Sequence, residues 1–409
     1  MTLSPDKYLK ELFQFAVRCS HPKTLLKKHL PENTNDPVTI IGAGKAGAAM
    51  AQAFESVWKG PISGTVVVPH GQAVECNYID IIQASHPVPD QNSVIASEII
   101  LNKTRGLTDK DTVFALISGG GSSLLCSPTD KISLDEKQLV NKQLLKSGAS
   151  IDEMNIVRKK LSNIKGGKLL SHIHPAKLRT LAISDVVGDD PTTIASGPTV
   201  PDHSTNQDAL QIIRKYIIDI PESVKNHLSS DEASPDHSTY NYDYSVIASA
   251  RIMLKNVQEK IENDGFNCIN LGELDGDAKS LGFKHAEMAM ALIPEKPTII
   301  ISGGETTVKV IGNGKGGRNS EYLLGLFSKL SNSNNIYALS ADTDGIDGMM
   351  DNAGAYFLPG DIGRDGLAPE SYLNNNDSYS FFKKMDRLII TGPTHTNVND
   401  FRAIYIAPK

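Results

Sequence analysis

The chain has 409 residues, too many for one ordinary hydrophobic core, so two or three domains are expected. Its 41 Lys and Arg against 47 Asp and Glu give a formal charge of −6, which excludes an extended nucleic-acid surface and leaves any anionic ligand to a local basic pocket. Charges break every apolar run, so no signal peptide or membrane span is expected, and four scattered cysteines without a Cys-x-x-Cys pair point to a reducing cytoplasm.

Ser4-Pro5 precedes Leu9, Leu12, Phe13, Ala16 and Val17 at helical spacing, which predicts an opening amphipathic helix. Short apolar runs then read as buried strands: Val38–Ile41, Thr65–Val68, Asp80–Ala84, Val113–Ile117, Thr180–Ile183, Tyr244–Ile247, Thr298–Ile301, Ile336–Leu339 and Arg387–Ile390. Their alternation with helical patterns predicts an α/β fold of doubly wound type. The polar stretch 228–239 is the best linker candidate. It divides the chain into a larger domain over 1–235 and a smaller α/β domain over 240–409, whose C-terminal segment is free to return to a cleft between them.

Three strands run into glycine-rich turns. These are Gly42-Ala-Gly44-Lys45-Ala-Gly47, Ser118-Gly119-Gly120-Gly121-Ser122 and Ser302-Gly303-Gly304-Glu305-Thr306. Glycine lets main-chain N–H groups approach a phosphate, and a following helix N-terminus adds partial positive charge. The first turn matches G-x-G-x-x-G, yet the next predicted strand ends in Pro69-His70-Gly71 with no acid to hold a dinucleotide ribose. Lys45 opposes the dipole of the helix after it unless an anion lies between them. Arg318, in Gly316-Gly317-Arg318-Asn319-Ser320, again sits at a helix start, with Asn319 or Ser320 as the expected cap.

Acidic loops also follow strands. Asp185, Asp189 and Asp190 suit Mg²⁺ coordination or proton acceptance, and Asp189 and Asp190 suit turn formation equally well. Asp342-Thr-Asp344-Gly-Ile-Asp347 fails as a calcium loop because Ile346 occupies a ligand position. Thr391–Asp400 offers amides and hydroxyls to a small polar substrate, His86 reads as a structural hydrogen-bonder, and no G-x-S-x-G elbow is present.

Together with Lys165-Gly166-Gly167-Lys168 and Ala195–Thr199, these stretches resemble the glycerate 2-kinase family, two-domain kinases with a C-terminal MOFRL domain. The matches run in family order from about Ile40 to Asp400. The resemblance implies a Rossmann-like larger domain, ATP and Mg²⁺, and D-glycerate phosphorylated at its 2-hydroxyl in the cleft. It makes Lys45 and Arg318 the catalytic cations. Asp189 joins them as the residue that orients the acceptor, and Asp185 and Asp190 become metal ligands. Nucleotide binding falls to Gly44, Ser118, Gly119, Gly120, Gly121, Ser122, Ser302, Gly303, Gly304, Glu305 and Thr306. The expected partner is the small substrate alone, with no nucleic acid or membrane, in a homodimer. The chain departs from the family pattern at His395, where a glycine is usual, and at Ser320 and Ser123. The rival readings are an NAD(P)H-dependent hydroxypyruvate reductase and a non-catalytic sugar-acid sensor.

Overall fold

All nine apolar runs form strands in the computed structural model, which describes residues 4–230, 237–330, 334–362 and 368–408. The chain divides into two compact units, one of Leu25–Ile247 and one joining Met1–Thr24 to Ala248–Lys409.

The first unit is built on β1 (Val38–Ala43), β2 (Ile62–Pro69), β3 (Ile79–Ala84), β4 (Thr112–Ser118), β5 (Lys177–Ile183) and β6 (Tyr242–Ala248). They form one parallel sheet in the order β3-β2-β1-β4-β5-β6. The strand order reverses between β1 and β4, so a crevice opens at their carboxyl ends. Ile41, Ala43, Val113, Ala115 and Ile117 fill the centre of the sheet. A second apolar cluster lies under the helices Leu134–Ser147, Ile151–Lys160 and Asn206–Lys215. Each of these helices opens on a reciprocal capping box, Ser133 with Glu136, Ser150 with Glu153 and Thr205 with Asp208.

The second unit holds β7 (Asn267–Glu273), β8 (Gly276–Asp277), β9 (Thr298–Gly303), β10 (Thr306–Thr307), β11 (Ile336–Asp342), β12 (Gly354–Phe357), β13 (Leu388–Ile389) and β14 (Asp400–Ile406). Six of them make a mixed sheet in the order β13-β12-β11-β14-β9-β7, in which only β7 and β9 run parallel. The two-residue strands β8 and β10 pair separately.

The expected helix spans Pro5–Ser20, with Leu9, Leu12, Phe13 and Ala16 buried. It packs on the second unit, with Phe13 stacked on Phe401 at 6.4 Å and the Tyr8 hydroxyl donating to Asp264 at 2.7 Å. The units therefore differ from the 1–235 and 240–409 division at both ends. The first helix joins the C-terminal unit, and β6 carries the first unit through Ile247. An amphipathic stripe reveals that a face is buried, not what buries it. Part of the linker stretch, 231–236, lies outside the described residues. Among the described residues, no helix is long and apolar enough to cross a membrane.

Candidate active site

Each unit carries one cluster of the expected residues. In the first, the turns after β1 and β4 are laced together at the point where the strand order reverses. Lys45 N donates to the Gly119 carbonyl at 2.8 Å and Ala46 N to Ser118 Oγ at 3.0 Å. Gly44 is at φ +132°, and a Cβ there would fall onto Ser118, so both the conformation and the approach demand glycine. Gly120 is also left-handed, with the His86 ring against it. The helix Gly47–Glu55 starts here, and its N-cap, Ala46, offers no side-chain acceptor. An uncapped N-terminus beside a lysine is a ready anion site.

The acidic loop after β5 returns to the same place. Ser196 Oγ meets Ser122 Oγ at 2.8 Å. Ala195, Ser196 and Gly197 are consecutive left-handed residues, a strained run of the kind that needs its surroundings to hold it. The neighbouring loop does so: Gly166 N donates to the Ser196 carbonyl at 3.1 Å and Gly167 N to that of Gly197 at 2.8 Å. Asp189 is buried and left-handed. Asp190 spends its carboxylate on the turn, accepting from Thr192 N at 2.9 Å and from the hydroxyls of Thr192 and Thr193. Burial opposes its ionisation, but the Thr192 and Thr193 hydrogen bonds outweigh burial and hold it below the usual carboxylate range. The turn-forming role therefore describes Asp190, an expected metal ligand. Among the described residues, no group of three or more His, Cys, Asp or Glu is arranged to hold a metal ion.

Beside these turns lies a pocket of about 230 Å³. Gly120, Ser122 and three cations, Lys137, Arg158 and Lys165, line it. Lys165 donates to the Ser122 carbonyl, and Lys137 Nζ donates to that of Leu161 at 2.9 Å. Arg158 reaches Asn141 Oδ1 at 3.2 Å and Asn155 Oδ1 at 3.4 Å. Burial first, then the neighbouring Lys137 charge, pushes Lys165 down to about 7, and burial pushes Lys137 down to about 8.

The second unit gathers Ser302–Thr306, Arg318 and two further acids, Asp342 and Asp400, that the sequence did not connect with Arg318. Arg318 opens the helix Arg318–Lys329, and its fork is fully engaged. Its Nη1 meets Glu305 at 2.6 Å, Nη2 meets Asp342 at 2.8 Å and Nε meets Asp400 at 2.8 Å. Burial disfavours its charge, but Asp400, Asp342 and Glu305 override burial and hold it strongly protonated. Arg402 is buried behind them, donating to the Gly303 carbonyl at 2.6 Å and pairing with Asp400 at 2.5 Å. Gly317 is the N-cap of the helix, and the capping groups expected at Asn319 and Ser320 belong instead to Asp347. Its carboxylate accepts from Asn319 N and Ser320 N, each at 2.9 Å. Burial pushes Asp347 up to about 6 despite those bonds. His395, the residue in place of the family's glycine, is at φ +59°, a conformation that glycine adopts without strain.

The geometry thus joins Lys45, Gly44 and Ser118–Ser122 in one unit, and Ser302–Thr306 with Arg318 in the other. Lys137, Arg158 and Arg402 were missed, as was the pairing of Arg318 with Asp342 and Asp400. Lys137 left a trace: it falls on the buried stripe of its helix with Val140 and Leu144, where an apolar residue is the rule.

This is the architecture of a two-domain α/β enzyme with interlocked glycine turns at the sheet's switch point. The family described as MOFRL matches residues 298–400, and DUF4147, described as a domain of unknown function, matches residues 8–229. A D-glycerate 2-kinase of Thermotoga maritima is 39% identical, with 97% of each chain covered. A protein of Agrobacterium vitis named "Putative hydroxypyruvate reductase" is 45% identical over 99% of this chain and 95% of its own. The crystal structure of glycerate kinase from Thermotoga maritima matches at a TM-score of 0.91 and 37% identity, covering 98% of this chain and 100% of that one. The chain belongs to the glycerate 2-kinase family, the two-domain kinases with a C-terminal MOFRL domain.

Proposed function

We propose that the protein transfers the terminal phosphate of ATP to the 2-hydroxyl of D-glycerate. The observation that carries this reading is the pair of interlocked glycine turns at the switch point, with Lys45 and an uncapped helix N-terminus beside them. In phosphoryl transfer, positioning and charge neutralisation do most of the catalysis. Lys45 supplies positive charge to the moving phosphoryl group. The N–H groups of Gly119–Ser122 are the cradle proposed for the nucleotide phosphates, and the Ser302–Thr306 turn is the corresponding candidate in the other unit. Arg318 fixes the second cluster through its three carboxylates, and its role is to present that cluster in one geometry. A Mg²⁺ ion bound with the nucleotide would neutralise phosphate charge. Asp185 is the residue proposed to meet it, and Asp189 the one proposed to orient the acceptor, since Asp190 is committed to its turn.

The reductase reading takes support from the relative of that name. Against it, β2 ends in Pro69 and runs into His70, with no acid for a dinucleotide ribose. One coupled assay separates the two. Purified protein with D-glycerate and Mg-ATP should release ADP in a glycerate-dependent manner, and NMR of the product should show the phosphate on the 2-position. NADH consumption with hydroxypyruvate, without glycerate-dependent ADP release, would hand the activity to the reductase. A 3-phosphate product would correct the position alone.

A further inference from the structure

The three cations of the first unit's pocket lack the one thing buried charges usually have. Lys165 and Lys137 are 2% and 3% exposed, and Arg158 is half-buried. Among the described residues, none of the three forms an ion pair with a carboxylate, whereas their neighbours Lys159 and Lys160 both pair with Asp202, at 3.3 and 2.9 Å. Their hydrogen bonds go only to carbonyl, hydroxyl and amide oxygens. Taking a charge out of water costs several kcal/mol unless something compensates it. Three such charges converging on one cavity, with no acid in its lining, describe a receptor whose counter-ion is the ligand. At about 230 Å³ the pocket falls below the roughly 300–1,000 Å³ typical of drug-sized ligands, too small for a whole nucleotide. Arg158 contributes a planar fork matched to a carboxylate. Gly120 and Ser122 belong both to this pocket and to the turn assigned to phosphate.

We propose that this pocket is the carboxylate receptor for the acceptor acid, with Arg158 and Lys165 as the principal contacts and Lys137 supporting them. The assignment rests on the kinase reading for the identity of the acid. A small hydroxy acid held here by its carboxylate would keep its hydroxyl beside the glycine turn. Polyols of the same length would be rejected, because they leave the cations uncompensated.

Titration calorimetry of the full chain tests this with D-glycerate, glycerol and ADP as separate probes. Wild type should bind D-glycerate and not glycerol. Arg158→Gln and Lys165→Met should each weaken D-glycerate at least tenfold, about 1.4 kcal/mol, while ADP stays within twofold. Arg158→Lys should recover part of the loss. Arg158 is half-exposed, so its variants carry the test even if Lys165→Met folds poorly. A wild type that does not bind D-glycerate, unchanged D-glycerate affinity in the Arg158 variants, or a loss of ADP affinity in place of D-glycerate would each overturn the assignment. The kinase reading fails separately. If wild type binds D-glycerate through these residues yet releases no ADP, the pocket stands and the kinase falls. If all variants bind and turn over D-glycerate normally, the kinase stands and the pocket falls.

Discussion

Replacing Lys165 by Met should stabilise the ligand-free protein at low pH and destabilise it at high pH. An ordinary lysine titrates near 10.5, and burial beside Lys137 and Arg158 pushes Lys165 down to about 7, with Cys126 the one neighbour acting the other way. Between those two values the unfolded chain holds a proton that the folded one releases, so wild-type stability rises with pH across that window. The penalty is fully present below about pH 7, at roughly 5 kcal/mol from the separation of the two values, and shrinks to about 1 kcal/mol by pH 10. Methionine removes the penalty but also the hydrogen bonds to Ser122, a loss of about 2 kcal/mol. The balance is a gain of ~3 kcal/mol at pH 6 and a loss of ~1 kcal/mol at pH 10. Urea titrations of both proteins at the two pH values measure it directly. Saturating D-glycerate at pH 6 should narrow the difference by stabilising wild type alone. A variant less stable than wild type at both pH values, by the same margin, would refute the reasoning, because it would mean that the ammonium is compensated in the fold.

Lys45→Ala should lower turnover at least a hundredfold with an unchanged urea midpoint, as expected of an electrostatic group at the reacting phosphate. Arg318→Ala should be just as inactive but should also lose about 3–5 kcal/mol of stability, since three carboxylates lose the cation that they share; the midpoint separates it from Lys45→Ala. Glu321 is pushed up to about 7, chiefly by burial, so its carboxylate destabilises the fold as pH rises through that value. Glu321→Gln should therefore gain up to ~3 kcal/mol at pH 8 and nothing near pH 4.5 in the same titrations. Gly44→Ala should abolish nucleotide binding, because its methyl would displace Ser118 and unlace the two turns; normal ADP affinity in that variant would remove the turns from the nucleotide site.

Of the nine predicted strands, β1, β2, β4, β5, β9 and β11 are largely buried, and a strand buried on both faces must be a continuous apolar run, a pattern visible without any partner. β7 and β14 escaped for opposite reasons. β7 is a half-buried edge strand that alternates weakly, and β14 opens on Asp400 and Arg402, whose charges leave only Ala403–Ile406 as an apolar run. Those two residues are also the ones that hold Arg318 and the Gly303 turn. The first half of that strand was hidden by the chemistry it supports. The glycine turns were legible because left-handed backbone and close approach admit few residues besides glycine, and Gly44 and Gly120 meet those demands.

What no sequence pattern carries is charge compensation. Arg318 and Lys165 both stand in glycine-rich stretches between a turn and a helix, and both are largely withdrawn from water. Arg318 was read as the cation awaiting an anion, yet three carboxylates from β11, β14 and the Ser302–Thr306 turn already surround it. Lys165 drew no chemical role, yet among the described residues neither it nor Lys137 nor Arg158, the other cations of its pocket, pairs with a carboxylate. Two of the acids around Arg318, Asp342 and Asp400, are 24 and 82 residues away from it along the chain and arrive only through sheet order and loop packing. A cation with its acids resists removal and holds a scaffold in place, whereas a buried cation without them destabilises the empty protein and rewards whatever anion enters. The opposite signs predicted for Arg318→Ala and Lys165→Met at pH 6 follow from that difference, and measuring the pair tests both assignments at once.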